Sequence, residues 1–194
     1  MSSEGTKRAL RAELLAVRRK LTPDDVRMRA ERLAAAAARW DRLAAAQTVA
    51  AYVSVGTEPG TRALLDALRE RGVRVLLPVL LSDNDLDWAA YEGPGRLLPA
   101  GRGLLEPAGE RLGAEAVVDA EVVLLPGLAV DRSGLRLGRG GGSYDRVLAR
   151  LAAADADPAL VVLLYDDEVL ARVPAEPHDR PVHAVVTPSG LLQF

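Results

Sequence analysis

The chain contains no cysteine, one phenylalanine, two methionines and two histidines in 194 residues. Without thiols it has no disulfide, no thiolate metal site and no cysteine nucleophile. Its histidines, His178 and His183, fall on a predicted loop and a predicted strand, a setting that does not make a zinc site. Aromatic residues are scarce, at 4%. None is interleaved with the arginines of the first segment, which argues against an RNA-binding surface there. Long apolar runs are missing too: no uncharged stretch reaches the ~20 residues that a membrane span needs. The charged first twenty residues show no secretory apolar core. Neither sign of charge is in large excess, since 25 Lys+Arg face 27 Asp+Glu for a net charge of −2. There is accordingly no general attraction to nucleic acid or anionic lipid, and any anion site must be a local cluster of basic groups. These absences predict a soluble cytoplasmic protein.

What is present suffices for one compact domain spanning residues 1–194, with 49% hydrophobic and 27% charged residues. Leu10, Leu14, Val17 and Leu21 recur at helical spacing and predict a first helix over 6–20. Thr22-Pro23-Asp24-Asp25 reads as the start of a second, with Thr22 as N-cap, proline in the first turn and acids at the positive end of the dipole. Val26, Ala30, Leu33, Ala37 and Trp40 form its apolar stripe. The two helices are expected to make an N-terminal hairpin over 1–46, packed on the rest. From Thr48 the pattern changes. Strands are predicted at 48–55, 73–80, 86–91, 121–130, 160–164 and 182–186. Helices are predicted at 62–71, with Thr61 as cap and Gly72 as stop, and at 144–154. Residues 93–113, rich in Gly and Pro, are expected to be mostly loop. Alternation of this kind argues an α/β fold with a largely parallel central sheet flanked by helices.

The most informative stretch runs from Leu125 to Asp131 and then from Arg136 to Arg146. It reads as a strand, a glycine-rich loop and a helix start. Gly138, Gly140, Gly141 and Gly142 let backbone N–H groups converge on one concavity that suits phosphate oxygens. The following helix offers its positive end to the same anion. Arg136 and Arg139 add forked donors, and Asp145 is placed to hold Mg²⁺ through one carboxylate. No Gly-Lys-Ser/Thr closes the loop, so it is not a Walker A loop, nor is it a clean dinucleotide fingerprint. From spacing alone, a glycine-rich surface turn with an acidic helix cap is nearly as good a reading. Lys7 and Arg11, at i and i+4, project from one helix face and by themselves read as two solvated charges on an amphipathic helix. Trp40 is expected in the core. Trp88 and Tyr91 stand either in packing or at a pocket wall.

Taken in order, these pieces resemble the 5-formyltetrahydrofolate cyclo-ligases, or methenyltetrahydrofolate synthetases. The resemblance is carried by Lys7 and Arg11, by Tyr52 to Glu58 with Thr61, by Pro126 to Asp131 with Arg136 to Arg146, and by Pro177-His178-Asp179 with Val185-Val186-Thr187. It spans nearly the whole chain. It implies a fold similar to that of sugar-phosphate isomerases and CoA-transferases, and an activity in which ATP closes 5-formyltetrahydrofolate to the 5,10-methenyl form, releasing ADP and phosphate.

The resemblance also implies roles. Lys7, Arg11 and the run Arg136, Leu137, Gly138, Arg139, Gly140, Gly141, Gly142, Ser143 and Tyr144 would contact ATP. Val53 and Glu58 would line the folate pocket, bordered by Arg139 to Ser143. Asp145 and Asp179 would bind Mg²⁺. Arg139 would stabilise charge on the transferring phosphoryl group and Glu58 would orient the folate, the two together forming the catalytic pair. The expected folate is free or polyglutamylated, and the expected enzyme a monomer or weak homodimer. Four positions depart from the pattern: Ser143 stands where an aromatic is usual, Gly141 where some members carry Lys, Val130 where Phe is common, and Glu168 where Gln is frequent. Other occupants of such a scaffold, an isomerase or transferase that needs no ATP or a nucleotide-binding relative without catalysis, are the competing expectations.

Overall fold

A computed structural model of the chain describes residues 3–176 and 179–194. Helices α1 (Ser3–Arg18), α2 (Pro23–Ala38) and α3 (Asp41–Ala45) come first, followed by β1 (Thr48–Ala50), α4 (Arg62–Glu70), β2 (Arg74–Leu80) and β3 (Leu86–Ala90). A small hairpin, β4 (Leu97–Pro99) and β5 (Leu105–Pro107), leads to β6 (Val122–Pro126), β7 (Ala129–Asp131) and β8 (Arg136–Leu137). The chain closes with α5 (Ser143–Ala153), β9 (Ala159–Leu163), β10 (Val169–Leu170), β11 (Ala184–Thr187) and β12 (Gly190–Gln193).

Seven strands make the main sheet in the order β12-β11-β9-β6-β1-β2-β3. The five inner strands are parallel, and β3 and β12 pair antiparallel at the edges. Both faces are covered, so the strands are nearly continuously apolar. Along β6, Val122 and Leu124 join the core under α2 and α4, whereas Val123 and Leu125 join the core under α5. The two-residue period sorts each strand between the layers. A second, three-stranded sheet, β10-β7-β8, lies apart. Helix α1 packs on it, with Leu14 clustered against Leu128, Ala129, Leu137 and Val173. Helix α2 packs on the main sheet through Leu33 and Ala37. The two N-terminal helices therefore bury their faces in different cores.

Thr22 caps α2 as expected, in a capping box in which Asp25 N donates to Thr22 Oγ1 at 3.1 Å and Thr22 N donates to Asp25 Oδ2 at 3.0 Å. Other boundaries differ. The strand expected over 48–55 ends at Ala50. Beyond it Thr61 Oγ1 donates to Tyr52 O at 2.7 Å and accepts from Ser54 N at 2.9 Å, which bends the chain into a loop. Thr61 spends its hydroxyl there and does not cap α4. The strand expected over 121–130 is two strands in different sheets, β6 and β7. The break falls at Gly127, where a Cβ would lie 2.7 Å from Val162 Cγ2. The loop expected over 93–113 contains the β4–β5 hairpin.

The buried face of α1 is also rotated. Lys7, Leu14 and Arg18 are buried, while Val17 is 42% exposed. The apolar stripe read from the sequence gives way to one that includes two cations, each buried against carboxylates.

Candidate active site

Strand β1 has β2 on one side and β6 on the other, and the chain visits β2 before crossing back to β6. This is the switch point of an open parallel sheet, where ligands bind beyond the carboxyl ends of the strands. A cleft of about 610 Å³ opens there. One wall is the Tyr52–Glu58 loop that follows β1, and the opposite wall comes from Pro126 and the run 136–145 that follows β6. Lys7, Arg11 and Asp179 close one end, and Pro78, Leu80, Leu86, Leu104 and Leu105 form an apolar surface elsewhere. Lys7, Arg11, Val53, Glu58, every residue from Arg136 to Asp145, and Asp179 all line this one cleft. His178 lies outside the described residues. Trp88 and Tyr91 do not line the cleft: Trp88 is fully buried in the sheet core, and the Tyr91 hydroxyl donates to Asp66 Oδ1 at 2.6 Å.

Each wall is built from its own sequence. Glu58 Oε2 accepts from Val55 N at 2.8 Å, which folds the post-β1 loop back on itself. Glu58 Oε1 accepts from Arg139 Nη1 at 2.7 Å and so ties that loop to the glycine-rich loop. Arg136 is a strut: its Nη1 donates to Pro126 O at 2.9 Å and its Nη2 to Asp145 Oδ1 at 3.3 Å. Burial holds this guanidinium below its ordinary range, and Asp145 opposes that shift. Arg11 Nε donates to Gly138 O at 3.0 Å, and its guanidinium lies against Gly140. Gly140 has φ +89°, a left-handed conformation that favours glycine, and the Arg11 guanidinium lies in ordinary contact with it. Gly142 is the N-cap of α5 and supplies no side-chain acceptor, which leaves first-turn N–H groups facing the cleft.

Lys7 Nζ donates to Glu176 Oε2 at 2.7 Å and to Asp179 Oδ2 at 2.8 Å. Burial alone would lower the Lys7 ammonium; the bonds to Asp179 and Glu176 more than offset it, and the group is raised. Four cations of the cleft are thus each matched to carboxylates: Lys7 to Glu176 and Asp179, Arg11 to Glu4, Arg136 to Asp145, and Arg139 to Glu58. Tyr144 is half-buried beside this cluster, and desolvation, followed by the Glu58 charge, raises its phenol. Among the described residues no group of three or more His, Asp or Glu is arranged to hold a metal. Asp145 nonetheless has a side chain 61% exposed at the cleft, with one long contact. A single open carboxylate beside a phosphate site is the donor set that Mg²⁺ uses when phosphates and water complete its octahedron. Asp179 fits less simply, since its Oδ2 already accepts from Lys7 and from Glu176 N at 2.7 Å.

A sequence model of the 5-formyltetrahydrofolate cyclo-ligase family matches residues 3–188. The chain belongs to that family. A 5-formyltetrahydrofolate cyclo-ligase from Mycolicibacterium smegmatis is 50% identical over 147 residues, covering 73% of this chain and 74% of the relative. One from Escherichia coli is 32% identical over 179 residues, covering 91% and 97%. The solved structure of Aquifex aeolicus 5,10-methenyltetrahydrofolate synthetase superposes with a TM-score of 0.81 at 26% identity, covering 96% of this chain and 92% of that one.

The sequence reading gave no partner to four side chains outside the cleft lining, Arg18, Arg29, Tyr165 and Glu168. Arg18 forms a bidentate pair with Glu168, Nε to Oε1 at 2.6 Å and Nη2 to Oε2 at 2.8 Å. Arg18 and Arg29 both lie over the Tyr165 ring, 5.6 and 5.2 Å from its centroid. Burial pushes the Glu168 carboxyl upward, and the Arg18 guanidinium opposes that shift without cancelling it. Glu168 is thereby given a partner that its position in the sequence did not reveal.

Proposed function

We propose that this chain uses ATP to close 5-formyltetrahydrofolate to 5,10-methenyltetrahydrofolate, with the cleft at the switch point as its active site. The observation that carries the reading is the pairing of Arg139 with Glu58 across the cleft. The same cleft is lined by the glycine-rich turn, the start of α5, Lys7 and Arg11, all suited to phosphates, and by Pro78, Leu80, Leu86, Leu104 and Leu105, suited to an aromatic ligand.

A formamide oxygen is a poor leaving group. The γ-phosphoryl of ATP transfers to it: the bond to the β-phosphate bridging oxygen breaks, a bond to the formyl oxygen forms, and ADP departs. N10 then attacks the activated carbon, loses its proton, and phosphate leaves with the former formyl oxygen. Arg139 neutralises charge on the transferring group, Lys7 and Arg11 grip the phosphates, and Glu58 with Val53 orients the folate. Arg136 and the backbone of 137–144 shape the nucleotide wall, whose residues 139–143 also border the folate. Catalysis of this kind is chiefly positioning and electrostatic stabilisation. Asp145, with Asp179 once Lys7 turns to phosphate, would hold Mg²⁺, which supplies charge neutralisation at the phosphates. The carboxylates that now face Lys7, Arg11 and Arg139 act as stand-ins for phosphate oxygens. The enzyme acts as a single domain over residues 1–194, a cytoplasmic monomer or weak homodimer. No helix of the described residues is long and apolar enough to cross a membrane.

The test is an absorbance assay for the methenyl product with 5-formyltetrahydrofolate, ATP and Mg²⁺, each omitted in turn. Product is expected only in the complete mixture. Product formed without ATP, or nucleotide binding with no product under any condition, would refute the reading.

A further inference from the structure

Three buried groups outside the cleft connect its two walls. Arg18 Nη2 donates to Gly127 O at 2.8 Å. That carbonyl sits where the chain leaves the main sheet for the segment bearing Arg136 and Arg139, and Leu128 N of the same peptide donates to Leu137 O at 2.8 Å. The same guanidinium grips Glu168 through both oxygens. Glu168 Oε2 also accepts from Tyr165 N at 2.9 Å. The Tyr165 hydroxyl donates to Thr57 O at 3.2 Å. Thr57 O belongs to the planar peptide unit shared with Glu58, so fixing that carbonyl fixes the start of the Glu58 backbone. None of Arg18, Glu168 and Tyr165 lines the cleft.

We propose that Arg18, Glu168 and Tyr165 are positioning residues that hold the Glu58 wall of the cleft in register with the Arg139 wall. The proposal rests on the reading of Glu58 as the residue that orients the folate. A buried ion pair is weak evidence for stability by itself, because desolvation offsets much of the attraction. Its geometry here points to registry: one guanidinium, with five donors in a rigid fork, reaches a carbonyl on one wall and the carboxylate that leads to the other. Lysine carries its donors on one compact ammonium and does not reproduce the planar fork that pairs Glu168 bidentately while reaching Gly127 O.

The experiment is steady-state kinetics with both substrates on Tyr165→Phe, Arg18→Lys and Glu58→Gln, alongside thermal melts. Tyr165→Phe removes only the bond to Thr57 O and keeps the ring. It is expected to raise KM for 5-formyltetrahydrofolate roughly two- to tenfold, the range carried by one neutral hydrogen bond. KM for ATP and the melting temperature should stay at the wild-type values. Arg18→Lys should add a fall in kcat, because the fork that serves Glu168 and Gly127 O together is lost. The proposal is overturned if Tyr165→Phe keeps the wild-type folate KM while Glu58→Gln changes it. If Glu58→Gln itself leaves folate KM and kcat untouched, the reading of Glu58 falls and this proposal falls with it.

Discussion

Arg139 and Glu58, 81 residues apart, meet across the cleft at 2.7 Å. Their surroundings differ. The Arg139 side chain is 52% exposed and that of Glu58 10%. The carboxylate is fixed by its own loop, while the guanidinium is free to turn from it to an incoming phosphate.

Arg139→Ala should therefore leave the fold intact and lower kcat/KM by about 10²–10³, the usual cost of losing one donor to developing charge. Steady-state turnover with saturating Mg·ATP, together with a melt, checks this. Wild-type turnover in a folded Arg139→Ala enzyme would remove the arginine from the reaction.

Asp145→Asn should shift activation by Mg²⁺ to higher concentration with little effect on the melting temperature, since the side chain is mostly exposed. A magnesium titration of activity reads this out. An unchanged activation curve would move the metal elsewhere.

How much of this was legible in the sequence depends on where each residue finds its partner. The reciprocal bond from Asp25 came with the structure, but Thr22 stands directly before the helix it caps, and its role as N-cap was readable. So were the glycine-rich turn and the arginines beside it, because chemistry and spacing lie in one segment. The α1 face was not readable, because Lys7 is buried against Glu176 and Asp179, and Arg18 against Glu168, about 150 residues or more away. Continuous hydrophobicity across 122–130 hid a change of sheet, as both strands it contains are buried. The 48–55 run carries strand-forming residues, yet Thr61 takes Tyr52 O and Ser54 N away from any sheet partner. In each case tertiary context overrode a local preference.

The break at Gly127 carries its own prediction. Gly127→Ala would set a methyl against Val162 Cγ2 in a packed core. Overpacking of this kind costs about 1–3 kcal/mol, which in a chain of this size lowers the melting temperature by roughly 2–12 °C. A thermal melt decides it; an unchanged midpoint would mean that the two sheets part without strain.

Stability should respond to pH at both extremes. Arg150 holds Asp85 below its ordinary range, and hydrogen bonds from Ser133, Val173 and Leu135 outweigh burial to do the same for Asp131. A lowered carboxylate stabilises above its unfolded value of about 3.9 and loses that contribution as pH falls through the folded value. Lys7 is raised, so its contribution is complete below about 10.4 and is lost only as pH rises beyond that. Denaturant midpoints should therefore hold between about pH 5 and 9 as far as these groups are concerned and fall on either side. Asp131→Asn should flatten the acid limb, and Lys7→Met the alkaline one. Limbs of unchanged slope in these variants would show that other groups govern them.

The most direct measurement follows one oxygen atom. With ¹⁸O in the formyl group of 5-formyltetrahydrofolate, transfer of the γ-phosphoryl to that oxygen predicts one labelled oxygen in each inorganic phosphate released, read by mass spectrometry or by the ³¹P shift. Unlabelled phosphate, with the ¹⁸O in water, would contradict phosphoryl transfer to the formyl oxygen and the role given to the Arg139–Glu58 cleft.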